Sequence, residues 1–145
     1  MGGVVVNVQR KNIQTSNYAR KGADPLSIGI SATVPKWYNG RRLLDIAPTW
    51  PLVHSINEGH ITHEEYDQAY LALLLKRGLT GQKVLDMLPD ECFLLCYESP
   101  KDRCHRRLLA DWIYSETGFE IPEWKNPTEE EEAKRQQHVE SLLDF

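Results

Sequence analysis

The sequence predicts a single α/β domain with a small, mostly parallel sheet flanked by helices. Three segments rich in apolar residues, beginning at Val4, Leu26 and Cys92, have the pattern of core strands. Helical periodicity and helix-start signals lie between the second and third of these strands, and again after the third. A chain of 145 residues is long enough to bury a core. We predict an α/β domain over residues 1–125 and an acidic helical tail over residues 126–145.

The first third of the chain predicts two strands separated by a loop. Residues 4–8 are mostly valine, and β-branched side chains favour a strand. Arg10 follows directly, so it would lie near the strand's carboxyl end. Residues 12–24 are polar and show no apolar period, which predicts a long loop. Residues 26–30 alternate apolar with small side chains and predict the second strand.

Aromatic and basic residues alternate in the turn-rich segment 33–42. Lys36, Trp37 and Arg41 could stack on a base and clamp a phosphate. In the alternative interpretation, Trp37 and Tyr38 pack on the core and the cations are solvated.

Three helices are predicted next. The first covers residues 50–56 and ends before Gly59. Thr62 and Glu65 form a capping box that opens a longer helix, which Gly78 stops. A short third helix covers residues 80–88.

A buried strand and a helix then follow in close succession. The apolar run from Cys92 to Cys96 is typical of a strand covered on both faces. Ser99 is suited to cap the next helix, and that helix carries a buried stripe that begins at His105. Residues 119–121 could add a short edge strand. In the tail, apolar residues between 142 and 145 could dock on the body or on a second copy in a homodimer.

The strand end and helix start predict the functional site, because α/β proteins bind ligands where parallel strands end. Glu98 could act as a general base, bind a ribose hydroxyl or form an ion pair. Cys104 lies beside His105 and Arg106, which would favour a nucleophilic thiolate. The alternative for Cys104 is simple packing, since cysteine is often buried. We expect Glu98, Cys104 and His105 to be the catalytic candidates.

The ligand-binding candidates are basic or aromatic. Arg106 can hold a phosphate or carboxylate through two hydrogen bonds. The other candidates are Arg10, Lys36, Trp37 and Arg41. A metal site formed by Cys96, Cys104 and His105 is disfavoured, because the adjacent residues Cys104 and His105 would rarely both reach one ion. The sequence also has no Cys-x-x-Cys motif. We therefore expect no metal and no cofactor, and the Walker and Rossmann glycine patterns are missing from the sequence.

The composition limits the partners and the cellular compartment that we expect for the protein. The net charge of −4 gives no support for tight nonspecific binding to nucleic acid. No apolar run is long enough to cross a membrane, and the first residues do not have the pattern of a secretory signal. Three cysteines are too few for a disulfide scaffold, so we expect a cytoplasmic protein.

The segment that ends at Glu98 and the following Cys104-His105-Arg106 resemble the motif of a bacterial and phage family, domain of unknown function 488 (DUF488). The resemblance extends upstream through Pro35, the segment 44–48 and the helix that starts at Thr62. It implies the fold and the site position, and it implies no activity. Many members carry an acidic and basic pair after the first strands, and this sequence lacks a clear counterpart.

Two functions are consistent with these observations. The leading hypothesis is binding or processing of a small anionic ligand derived from a nucleotide or nucleic acid, with Glu98, Cys104, His105 and Arg106 at the site. The alternative is a non-enzymatic interaction module that uses residues 36–42 and the acidic tail as contact surfaces. The sequence does not decide whether the protein is an enzyme.

Overall fold

One parallel sheet organises the molecule. The computed structural model describes residues 11–97, 105–126, 128 and 134–138. Its strands are β1 (Asn12–Asn17), β2 (Ser27–Gly29), β3 (Arg41–Arg42) and β4 (Glu91–Cys96). They lie in the order β1–β4–β2–β3, and every pairing is parallel. The predicted α/β class with a parallel sheet is confirmed.

Helices connect and cover the strands. They are α1 (Tyr18–Lys21), α2 (Trp50–Asn57), α3 (His63–Lys76), α4 (Gly81–Met87) and α5 (His105–Thr117), with a 3-10 turn at Leu44–Ile46. The three helices predicted between residues 50 and 88 are therefore confirmed, as is a helix after β4. Within the described part of the chain, no helix has both the length and the apolar character needed to span a bilayer.

Strand β4 lies at the centre of the sheet, as its apolar run predicts. Its residues Leu94 and Leu95 face opposite sides, and neither side chain is exposed to solvent. Leu94 belongs to the main core, which the apolar faces of the helices complete with residues such as Tyr70, Leu85 and Ile113. Burial on both faces explains why this segment lacks the alternation of a half-exposed strand.

Strand β1 corrects one prediction. Residues 12–17 were expected in a polar loop, yet they form a strand that pairs with β4 along its whole length. Two of its buried polar side chains have partners: Thr15 Oγ1 donates to Glu123 Oε1 at 2.7 Å, and the Asn17 side chain accepts from the Arg20 amide at 2.9 Å. The buried Ser16 hydroxyl has no hydrogen-bond partner among the described residues. The strand predicted at residues 4–8 lies outside the described residues.

The second face of the sheet carries a smaller cluster of Tyr18, Tyr38 and Leu95. Tyr38 is therefore buried, as one interpretation of the aromatic segment predicted. Trp37 is not, since it is 56% exposed. Its ring lies on Gly22, where an added Cβ would come within 2.5 Å of the indole.

The outer edge of β1 is covered by the chain after α5. The Thr15 amide donates to the Pro122 carbonyl at 2.9 Å, and the Trp124 amide donates to the Thr15 carbonyl at 2.7 Å. The edge pairing thus occurs at Glu123 rather than at the predicted residues 119–121. Residues 128 and 134–138 of the predicted tail are helical, whereas residues 142–145 lie outside the described part.

Candidate functional site

A cavity of about 400 Å3 opens at the carboxyl ends of β2 and β4. Ser31 and Thr33 reach it just after β2, and Cys96 and Tyr97 reach it at the end of β4. The lining residues are Ser31, Ala32, Thr33, Pro48, Trp50, Val53, Ile56, Asn57, His63, Tyr66, Asp67, Cys96, Tyr97 and His105. The cavity therefore lies where parallel sheets usually place a ligand.

His105 forms part of the cavity wall and is only 5% exposed. Its Nε2 lies 2.8 Å from the Ile30 carbonyl oxygen. A carbonyl oxygen can only accept, so Nε2 carries the proton and the other nitrogen, Nδ1, has the acceptor lone pair. Burial lowers the pKa of His105 to about 4; the positive charge of Arg106 acts in the same direction, and the bond to Ile30 opposes it. The imidazole is therefore neutral at pH 7.

Arg106 points away from the cavity into the protein. It is fully buried, and its Nε and Nη2 each donate to a different carboxylate oxygen of Glu123 at 3.1 Å. Its Nη1 donates to Cys96 Sγ at 2.9 Å. This two-pronged geometry was expected for a ligand anion, but in the structure an internal carboxylate occupies it.

Arg107 is also held internally. Its Nη1 donates to Thr15 Oγ1 and to the Ile121 carbonyl, both at 2.8 Å. Together with the Arg106–Glu123 pair, these bonds connect α5 to β1 and to the segment that covers the β1 edge. Arg106 and Arg107, at the start of α5, therefore hold this helix against β1 and the segment that covers its edge.

The cysteines differ in environment. Cys92 is a free, buried thiol in the core, and burial raises its pKa to about 12. Cys96 is disulfide-bonded. The cytoplasmic location stays a prediction, because a reducing compartment favours free thiols and the Cys96 sulfur is in a disulfide. Three predicted site residues, Arg10, Glu98 and Cys104, lie outside the described residues.

The remaining predicted ligand contacts do not reach the cavity. Lys36, Trp37 and Arg41 are exposed, and they are not among the cavity-lining residues of the described chain. Arg41 belongs to the edge strand β3. The structure thus separates these three residues from His105.

Sequence reasoning missed most of the cavity wall. Helix α2 supplies Trp50, and α3 supplies His63 and Asp67. The spacing of four between His63 and Asp67 places both on one face of a predicted helix. That spacing was a usable signal, but nothing in the sequence shows which face meets the strand ends.

The described lining carries little formal charge. Asp67 is a carboxylate, and no lysine or arginine lies among these lining residues. Histidine, cysteine and carboxylate side chains in the described ranges do not form a group of three that could hold a metal ion. The described walls therefore combine carboxylate, hydroxyl and imidazole groups with apolar side chains.

Comparison with protein families agrees with the resemblance seen in the sequence. The family model DUF488-N3a, described as the active DUF488-N3 subclade, matches residues 8–117. This range contains the four strands and the cavity-lining residues that the structure describes. No curated protein and no solved structure matches the chain. The chain therefore belongs to the DUF488 family.

Proposed function

We propose that the protein binds a nucleotide-derived small molecule in the cavity at the carboxyl ends of β2 and β4. The position of the cavity carries this proposal, because open parallel sheets bind ligands at that edge. Its volume of about 400 Å3 falls within the range of small-molecule sites. Aromatic, hydroxyl, carboxylate and imidazole groups all line it, which suits a ligand with both flat and polar parts.

His105 has the role of a positioning and hydrogen-bonding group in this proposal. Its bond to Ile30 orients the ring in the cavity wall. With a pKa of about 4, the imidazole takes up few protons at pH 7. It therefore supports ligand recognition more than proton transfer.

A chemical step remains part of the proposal through Glu98. This residue is the sequence neighbour of the cavity-lining Tyr97. The matching family model is described as an active subclade, and the description names no activity. Processing of the bound ligand is consistent with both observations.

A thermal-shift screen tests the binding proposal. The probes are ribonucleosides, nucleotides with one to three phosphates, and inorganic phosphate alone. The variant His105→Gln keeps a side-chain N–H to bond Ile30 but removes the imidazole ring from the cavity wall. The exposed His60 is not among the lining residues, so His60→Gln is the matched control.

We expect at least one nucleoside or nucleotide to raise the melting temperature of the wild type and of His60→Gln. The same ligand should raise that of His105→Gln by much less. Stabilisation by inorganic phosphate alone would point to an anion site rather than a nucleotide site. If no member of the panel stabilises the wild type, the proposal is wrong.

The exposure of Trp37 favours a second candidate, an interaction module built on residues 36–42. At 56% exposed, Trp37 has a large ring surface available to a partner. Trp37→Ala in the same screen separates the two functions. A ligand shift lost in Trp37→Ala but retained in His105→Gln would assign binding to this surface instead of the cavity.

A further inference from the structure

We infer that the disulfide of Cys96 is a thiol–disulfide exchange site, which small thiols of the glutathione class reduce reversibly and in which Arg106 stabilises the released Cys96 thiolate. The exchange needs no nucleotide, so it is independent of the proposed function.

The two sulfur atoms of the disulfide follow from the number of cysteines. The chain contains three cysteines. Cys96 is disulfide-bonded, whereas Cys92 is a free thiol buried in the core. Cys104 is therefore the partner of Cys96 within the chain. Residues 97–103 separate the two, and a disulfide that closes so short a loop restricts the unfolded chain less than one that closes a long loop.

Arg106 favours the reduced form of Cys96. Its Nη1 donates to Cys96 Sγ at 2.9 Å. A guanidinium group stays positively charged, and a neighbouring cation favours a thiolate over a thiol. The Glu123 carboxylate offsets part of this charge through Nε and Nη2, but Nη1 is directed at the sulfur. A disulfide whose reduced form is stabilised is easier to reduce, so Arg106 favours reversible exchange over a permanent bond.

Burial decides which sulfur an incoming thiolate attacks. Cys96 has no exposed surface, so the small thiolate attacks Cys104 and Cys96 departs as the thiolate. This step breaks the protein disulfide and forms a mixed disulfide between Cys104 and the small thiol. A second small thiolate attacks the small-molecule sulfur of that mixed disulfide and releases Cys104. Two small thiols are thus oxidised to one disulfide, and their two electrons reduce the two cysteines. Of their two protons, one is taken up by Cys104 and the other passes to solvent, because Cys96 stays a thiolate.

The exchange acts on one wall of the cavity. Cys96 and Tyr97 both line the cavity, and Tyr97 belongs to the covalent ring that the disulfide closes. Reduction opens this ring and removes a covalent restraint on the wall at the end of β4.

Redox titration of the full chain tests the inference. The protein is equilibrated at pH 7 with mixtures of reduced and oxidised glutathione, quenched with acid, unfolded and alkylated. Peptide mass spectrometry then shows which cysteines carry the label. Cys92→Ala is the matched control, because it removes the free thiol of the same strand.

We expect Cys96 and Cys104 to gain the label together as the share of reduced glutathione rises, with the same midpoint in the wild type and in Cys92→Ala. Cys92 should be labelled in every mixture of the wild type. A Cys96 disulfide that persists in a large excess of reduced glutathione would overturn the inference, as would one that does not re-form when oxidised glutathione is added back. Linkage of Cys96 to a cysteine other than Cys104 would also overturn it.

A second comparison tests the role of Arg106. Glu123→Gln keeps the guanidinium, and the double variant Arg106→Met with Glu123→Gln replaces it with an uncharged chain. The equilibrium constant for reduction should be at least about tenfold smaller in the double variant, as for a change of one pKa unit in the leaving thiol. Equal constants would overturn the role of Arg106. The wild-type titration decides whether the disulfide is reversible even if either variant does not fold.

Discussion

At the scale of single residues, His105 makes folding sensitive to pH. Its pKa is about 4 in the folded protein, against an ordinary value of 6.5. Between these values the unfolded chain binds a proton that the folded protein does not, so acid favours unfolding. We expect the free energy of unfolding to fall by about 3 kcal/mol as the pH drops from 6.5 to 4.

Urea unfolding at several pH values measures this effect. His105→Gln should remove the part of the pH dependence that lies between 4 and 6.5, and the exposed variant His60→Gln should keep it. Identical slopes in the wild type and His105→Gln would show that His105 is not the residue responsible.

The buried positive charge of Arg106 forms an ion pair with the carboxylate of Glu123. Arg106 is fully buried, and the Glu123 side chain is 16% exposed. Removing the carboxylate leaves the guanidinium without its counter-charge in a poorly solvated place. We expect Glu123→Gln to destabilise the protein by about 3 kcal/mol in urea unfolding.

Glu120→Gln is the control for this change, because Glu120 is exposed on the same segment. Its effect should stay within about 0.5 kcal/mol. Replacing both partners, as in Arg106→Met with Glu123→Gln, should cost less than the sum of the single changes. Additive costs would contradict a direct coupling of the pair.

At the scale of elements, a local sequence motif correctly predicts the start of α3. The Thr62 side chain accepts from the Glu65 amide at 3.0 Å, and the Glu65 side chain accepts from the Thr62 amide at 2.9 Å. Both bonds involve residues three apart, so the sequence alone predicts them. Gly78 ends the helix region with φ +80°, a conformation that glycine adopts without strain.

We expect Thr62→Ala to lower the free energy of unfolding by about 1 kcal/mol, because the backbone amide of Glu65 loses the Thr62 hydroxyl as its acceptor. Gln68→Ala is the control, since Gln68 is exposed within the same helix and alanine is a good helix former. Chemical denaturation measures both. Equal stability of Thr62→Ala and Gln68→Ala would contradict the capping role.

Strand β1 shows where local signals fail. Its buried Thr15 and Asn17 break the apolar alternation that identifies a strand. Thr15 is satisfied by Glu123, which lies 108 residues away in the sequence, and by Arg107. No window of neighbouring residues contains that information, so a loop was the natural interpretation of residues 12–17.

At the scale of the whole molecule, the sequence predicted a parallel sheet with strands β2 and β4, most helices and the end of the sheet where the cavity lies, but it did not predict β1 or β3. Those features follow from the buried run of β4 and from the helix that follows it. The lining itself could not be predicted, because Trp50 and Asp67 reach the cavity only through the packing of α2 and α3. Arg106 shows the opposite case. Its sequence position suggests binding of a ligand anion, but in the folded protein its guanidinium group binds the carboxylate of Glu123 instead.

The pairing of Thr15 with the chain at Pro122 and Trp124 has a consequence for solubility. Truncation before Pro122 would uncover main-chain donors and acceptors on the flank of the first strand. Bare flanks of this kind recruit strands from other molecules and lead to aggregation. The segment after α5, from Pro122 to Trp124, thus protects this edge against aberrant self-assembly, whether or not a ligand is bound.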